Sequence, residues 1–255
     1  MSTVHLIRHG AIAELRLDNP AKMNSFTAEM LAALDAHLEE IERDALLRAV
    51  MVTAEGERAF CTGADINAWG DLSPTEFSRH WVRDGHRIFD RLARLSRPTI
   101  AVLQGHAFGG GLELAAACDL RVMAPGASLA LPEASIGIVP GWSGTQRLLR
   151  LFPEAVVKEM ALFGHRVKAE RALALGFAAA VDDDPRAAAE ALLERSVTLS
   201  PRAVEITKSM IHAATSEDRG AMIEALGSAA IAASADRDEG VKAFREKRKP
   251  EFTGH

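Results

Sequence analysis

Apolar positions along this chain change period several times, and each change marks an element. Ala11, Ala13, Leu15 and Leu17 alternate with Ile12, Glu14 and Arg16. A period of two is that of a half-exposed strand, so residues 12–17 read as a strand paired with residues 4–7 around a turn at His9-Gly10. Asp18-Asn19-Pro20 stops it. Met30, Leu31, Leu34, Leu38 and Ile41 then fall on one face at helical spacing, opposite a markedly acidic face. This predicts a helix capped by Ser25 or Thr27 and running to about Leu47. Residues 49–53 and 59–61 form apolar strand runs. Phe77, Trp81, Ile88, Phe89 and Leu92 place a long helix over 74–95, closed by Ser96-Arg97-Pro98. Residues 99–103, 120–123 and 128–131 read as strands, with a helix over 112–118 between the first two.

Strand and helix alternate to about residue 150. The remainder is alanine-rich and mostly helical, with a brief apolar return at 177–181 and a basic end, Arg245 to Lys249, stopped by Pro250. The pattern implies an α/β fold, which we divide into a core over 1–195 and a helical C-terminal region over 196–255.

With 255 residues, 48% of them hydrophobic and 25% charged, the chain has the composition of an ordinary soluble globular protein. A net charge of −5 gives no reason to expect nucleic acid. No signal-peptide pattern and no apolar run long enough to span a bilayer is visible. Cys61 and Cys118 read as buried thiols of a reducing compartment, and a cytoplasmic location is expected.

Candidate chemistry is densest in FGGGLELAAACDL, residues 108–120. Gly109, Gly110 and Gly111 lead from a strand into a helix. They do not spell GxGxxG or GK[ST], so phosphate cradling is not their best use. They can donate backbone N–H groups to a developing oxyanion, or simply permit a tight turn with close helix–strand packing. Glu113 follows among Leu112, Leu114 and three alanines. A helical carboxylate usually lies on a solvated face, but this helix offers no polar face before Asp119. Glu133, after Pro132, fits a plain helix start. It can equally flank one substrate with Glu113 if their environments split their pKa values. Gly63-Ala64-Asp65 is a second strand-end turn able to supply a second N–H donor. His106 can line the site or serve structure. Neither HExxH nor a cysteine pair occurs, so no metal site is expected; the absence of GxSxG argues against a serine hydrolase of the α/β-hydrolase type.

Taken together, five stretches resemble the enoyl-CoA hydratase (crotonase) family: Asn19-Pro20 with Lys22-Met23-Asn24, AFCTGADI over 59–66, GHAFGGGLELAAACDLRV over 105–122, PEASIGIVPGWSGTQRL over 132–148, and DEGVKAFREKRKPEF over 238–252. The resemblance implies a crotonase-like spiral of ββα units with a helical C-terminal trimerisation region, assembling as homotrimer or homohexamer. It implies an acyl-CoA thioester as substrate, with no cofactor beyond that CoA, no nucleic acid and no membrane. Carried over by position, the N–H groups of Ala64 and Gly110 hold the thioester oxygen, while Glu113 and Glu133 are the acid–base pair. Lys22, Met23, Thr62, Asp65, Ile66 and Asn67 lie along the CoA, Gly141 and Trp142 lie by the acyl group, and Lys247 approaches CoA from the C-terminal region.

Glutamates at both positions favour hydration of 2-enoyl-CoA to 3-hydroxyacyl-CoA. Δ3-Δ2 enoyl-CoA isomerisation and thioester hydrolysis are the alternatives within the family, and an RNA-binding relative is a third, which the acidic helix over 27–47 disfavours. Two departures stand out. Trp142-Ser143 occupies positions where many members have small residues, so the indole is expected to reshape the pocket. The chain has no tyrosine, and the helix expected over 217–233 has no aromatic residue to face an adenine.

Overall fold

The computed structural model describes residues 2–215 and 234–255, so the helix expected over 217–233 lies outside the described residues. These divide after Val204 into two compact units.

The first unit is built from repeated strand pairs, each followed by helix. β1 (Thr3–His9) and β2 (Ile12–Asp18) form the antiparallel hairpin, turning at Gly10 (φ +61°), and α1 (Ala28–Arg43) follows. Next come β3 (Ala49–Ala54) and β4 (Ala59–Cys61), then α2 (Ile66–Trp69), α3 (Pro74–Glu76), a π-helical stretch (Phe77–Val82) and α4 (Arg83–Arg94). β5 (Thr99–Leu103) and β6 (His106–Phe108) precede α5 (Gly110–Ala117). β7 (Leu120–Met123) and β8 (Ser128–Ala130) precede a 3-10 turn (Glu133–Ile136) and α6 (Gly144–Leu151). α7 (Glu154–Phe163), β9 (Val167–Lys168), α8 (Ala169–Ala174), β10 (Ala180–Val181) and α9 (Pro185–Val197) complete it, and α10 (Pro201–Ala214) crosses the division. In each later pair the first strand joins one sheet, ordered β1-β2-β3-β5-β7-β10, and the second joins another, ordered β4-β6-β8-β9. The pairings β3–β5–β7 and β4–β6–β8 are parallel. Two sheets advancing together are the turns of the expected spiral. In the second unit, α11 (Ala235–Glu246) is followed by the tail, in which the two terminal nitrogens of the Arg248 guanidinium donate to Glu239 at 2.6 and 2.8 Å.

The five apolar positions of α1 are all buried, and Thr27 caps it by accepting the Met30 N–H. The helix stops at Arg43 rather than near Leu47: Asp44 is already extended, and Leu47 is buried in the core outside the helix. β6 did not emerge from the hydrophobic pattern. Its three residues stand between Gly105 and Gly109, and a Cβ at Gly105 would come within 2.5 Å of the Arg58 backbone. The helix expected over 74–95 is continuous in position but contains the π-helical stretch, a widening that often marks a functional site. Both cysteines are free and buried, and burial pushes the Cys61 thiol up to about 12, so it is inert as a nucleophile.

β2 corrects its expected half-exposed reading. Glu14 is fully buried, its carboxyl enclosed by partners from β3, from the hairpin turn and from α9. Arg186 of α9 donates to both oxygens of Glu14 at 3.0 and 2.9 Å, Thr53 donates at 2.6 Å, and the His9 ring lies at 2.7 Å. Burial opposes the ionised form, but these partners win and hold the carboxyl down at about 2. A depressed carboxylate contributes stability that is complete above its unfolded value of about 4.5 and is lost as pH falls through 2. Arg186→Ala is therefore expected to cost on the order of 2 kcal/mol near neutral pH, at the low end for a buried pair because Arg186 is partly exposed. In a thermal-melt series the gap to the wild type should shrink between pH 4.5 and pH 2. A gap that stays constant over that range would show that Glu14 is not held ionised by Arg186.

Candidate active site

Parallel pairing puts the ends of β4, β6 and β8 side by side, and the chain segments leaving them enclose one cleft. Its polar end is lined by Thr62, Gly63 and Ala64 after β4 and by Gly109 and Gly110 after β6. Pro132 and Glu133 after β8 lie beside them, with Glu113 from the first turn of α5. The rest of the lining is apolar: Trp69, Phe77, Trp81 and Val82 on one side, and Ile136, Ile138 and Val139 on the other. Gly141 and Trp142 close it.

Local backbone geometry presents two N–H groups to this cleft. Ala64 forms a parallel bridge with Phe26, in which Phe26 N–H donates to Gly63 and the Asp65 N–H donates to Phe26. In such a ladder the flanking residues carry the bonds, so the N–H of Ala64 points to the opposite side. Gly110 is the first residue of α5, where N–H groups have no intrahelical partner and the helix dipole is positive. Among the described residues no acceptor takes either N–H. The two backbones are close: a Cβ at Gly63 would lie 3.4 Å from the Gly110 nitrogen. Gly109 carries φ +49° and ψ −124°, a combination closed to ordinary L-residues, and this sets the plane of the 109–110 peptide and so the direction of the Gly110 N–H.

Both glutamates are buried, Glu113 to 3% and Glu133 to 7% exposure. α5 is buried along its whole length, so Glu113 has no solvated face to reach. Its Oε1 accepts the N–H of Trp142 at 2.8 Å and of Gly144 at 2.7 Å. Burial pushes its carboxyl up to about 7; these donors and Arg147 pull it down, while the charge of Glu133 pushes it further up. Burial also raises Glu133, whose Oε2 is sealed from solvent and meets no donor. Its Oε1 lies over Gly109, where a Cβ would come within 2.9 Å. The pair therefore holds two buried carboxyls of unlike surroundings: Glu113 is gripped by two backbone N–H groups of the 142–144 loop, while Glu133 has only its own backbone N–H to favour its ionised form. With the charge of Glu133 acting on Glu113, the two carboxyls titrate as a coupled pair.

The remaining expected residues divide into four groups. Gly141 and Trp142 line the cleft. The indole is 3% exposed: it packs against Phe26, Trp81 and Phe89 and lies over Gly110, where a Cβ would come within 2.8 Å of its ring. Lys22, Met23, Asp65, Ile66 and Asn67 sit outside the lining, beside Thr62. Met23 accepts the Thr62 N–H at 3.1 Å, Lys22 pairs with Asp65 at 2.5 Å, and Asp65 caps α2 by accepting the Asn67 N–H at 3.1 Å. The lysine holds the Asp65 carboxyl below its usual range. Lys247 belongs to the second unit, exposed, with φ +54° after the end of α11. His106 is outside the lining and serves structure, its ring 3.0 Å from Ser128 Oγ and stacked on Phe108. The apolar walls from α2 to α4 and from 136–139 escaped the sequence reading, because Phe77 and Trp81 at helical spacing look the same whether they face a core or a cleft.

Comparison with known proteins adds an independent line. The profile of the enoyl-CoA hydratase/isomerase family matches residues 8–255. A probable enoyl-CoA hydratase of Bacillus subtilis is 34% identical, with all of both chains covered. A carnitinyl-CoA dehydratase of Salmonella typhi is 37% identical, covering 99% of this chain and 98% of its own. Among solved structures, an enoyl-CoA hydratase from Bacillus anthracis superposes with a TM-score of 0.81 at 31% identity, over 99% of this chain and 100% of the other.

Proposed function

The chain belongs to the enoyl-CoA hydratase/isomerase family, and from that premise we propose that it adds water across the double bond of 2-enoyl-CoA thioesters, giving 3-hydroxyacyl-CoA. The observation that carries this reading is the pair of buried carboxyls, Glu113 and Glu133, in one apolar cleft with two free N–H donors. Hydration needs a base for water, an acid for carbon and a place for the negative charge between the two events. The N–H groups of Ala64 and Gly110 receive the thioester oxygen and stabilise the enolate, aided by the start of α5. Glu113, ionised, orients water with its free oxygen and takes one proton as the oxygen bonds to Cβ. Glu133 delivers its proton to Cα, so the elements of one water end up on the substrate. Proton exchange with a further water returns the pair to its starting state. The two act as a coupled pair sharing one proton, so turnover depends on that singly protonated form.

CoA lies, in this reading, along the rim formed by Lys22, Met23, Thr62, Asp65, Ile66 and Asn67, and no further cofactor takes part; Lys247 is the C-terminal residue that the family resemblance assigns to CoA. The C-terminal region mediates assembly into trimers or paired trimers. The names of similar proteins include both hydratases and a dehydratase, which suits one site running the same addition in either direction.

The test is product analysis of pure protein given crotonyl-CoA, a 3-enoyl-CoA and a 3-hydroxyacyl-CoA. The reading predicts 3-hydroxybutyryl-CoA from the first and the 2-enoyl thioester from the last. Interconversion of the enoyl isomers alone would replace it with double-bond isomerisation, and release of free CoA with thioester hydrolysis.

A further inference from the structure

Glu113 is held by a short loop that is itself under strain. Trp142 and Gly144 both donate to its Oε1, and Ser143 between them has φ +82°, in the left-handed region. A residue with a Cβ enters that region at a cost of about 1–2 kcal/mol, so something must hold it there. The candidate is α4 with the π-helical stretch before it, which touches the loop at successive turns. The Trp142 indole N–H donates to the Trp81 carbonyl at 3.2 Å, within the stretch where regular helix bonds are interrupted. Gly85 leaves room for that indole; a Cβ there would lie 2.2 Å from its Nε1. His86 Nδ1 lies 3.1 Å from the Ser143 hydroxyl. One turn further on, Asp90 pairs with Arg147 of α6 at 2.6 Å.

We propose that His86, with the Trp81 carbonyl and the gap at Gly85, is a positioning clamp: it holds Ser143 in its left-handed conformation and so keeps two N–H groups aimed at Glu113. The clamp rests on the hydration reading for its effect on turnover, but not for its effect on the Glu113 carboxyl. Three charged or titratable groups bear on that carboxyl from the elements around it: Glu133 from the turn after β8, Arg147 from α6 and, through Ser143, His86 from α4. With the clamp released, Ser143 relaxes and the donors turn away. The ionised form of Glu113 loses its hydrogen bonds, so the proton stays on to a higher pH.

The decisive variants are His86→Ala and His86→Ala with Ser143→Gly. Loss of the clamp is expected to lower kcat on crotonyl-CoA by about tenfold or more with KM within about twofold, because a base is misplaced rather than a binding contact removed. The acid limb of the kcat–pH profile should move upward. Glycine adopts φ +82° without an anchor, so the double variant should recover most of the loss; His86→Gln, which can still reach the hydroxyl, should recover part of it. The Glu113 carboxyl is followed independently by 13C NMR of labelled glutamate, its signal identified by disappearance in Glu113→Gln, and it should titrate at higher pH in His86→Ala. An unmoved Glu113 titration in His86→Ala, at matched thermal stability, overturns the clamp whether or not the protein turns over. So does a loss of kcat that Ser143→Gly leaves unrepaired. A wild type inactive on crotonyl-CoA, with the Glu113 titration moving as expected, overturns the hydration reading alone.

Discussion

Glu113→Gln is expected to reduce crotonyl-CoA turnover by about a thousandfold, within the range for loss of a positioned general base, while acyl-CoA binding stays close to wild type. Glutamine keeps an oxygen to accept the Trp142 and Gly144 N–H groups, so the loop over 142–144 has no reason to move. What disappears is the ability to take a proton from water. The same substitution should leave the fold more stable at high pH. Burial raises the Glu113 carboxyl from 4.5 to about 7, and a group raised on folding contributes stability that is complete below 4.5 and is lost as pH rises through 7. Above that pH the native protein bears a buried charge that glutamine does not carry. Melting temperatures of the two proteins should therefore coincide near pH 4.5, with the variant higher by pH 8. A variant less stable at pH 8 would mean that the ionised carboxylate is a net stabiliser of the fold and that its partners outweigh its burial.

The second large effect is expected at a residue with no side chain. Gly109→Ala places a Cβ within 2.9 Å of Glu133 Oε1 and asks alanine to adopt φ +49° with ψ −124°. The carboxylate end can shift, but the backbone conformation is closed to alanine. The relaxed route is a rotation of the 109–110 peptide, which turns the Gly110 N–H out of the cleft. Loss of one oxyanion donor costs about 10²–10³ in kcat, and the strain adds about 1–3 kcal/mol of destabilisation. The measurement is kcat alongside a thermal melt. A variant that melts lower yet turns over at the wild-type rate would show that Gly110 does not hold the developing charge.

Much of this fold was legible in the chain because its elements are short and their periods clean. The buried stripe of α1 and the strands at 49–54 and 99–103 follow directly from spacing. β6 escaped because three residues between glycines carry no period. Glu14 was misread because alternation along a strand describes one face only, and what covers the other depends on α9, about 170 residues later. At the site, Glu113 showed itself as a carboxylate in a helix with no polar face, and Glu133 only through its company. Trp142 was expected to reshape the pocket near the acyl end. How its indole is seated depends on the hole at Gly85, nearly sixty positions away, which no local pattern announces. Backbone donors have no sequence signature of their own, and here they were inferred from the glycines that allow them.

The central claim is that Glu113 and Glu133 together add one water to an enoyl thioester held by Ala64 and Gly110. It is tested most directly by turnover of crotonyl-CoA in 18O-labelled water, followed by mass spectrometry of the product. The account predicts a 3-hydroxybutyryl-CoA carrying one 18O at Cβ for the wild type, with Glu113→Gln and Glu133→Gln each reducing its formation by orders of magnitude. Crotonyl-CoA left unchanged by the wild type, or labelled product formed at undiminished rate by either variant, would contradict it.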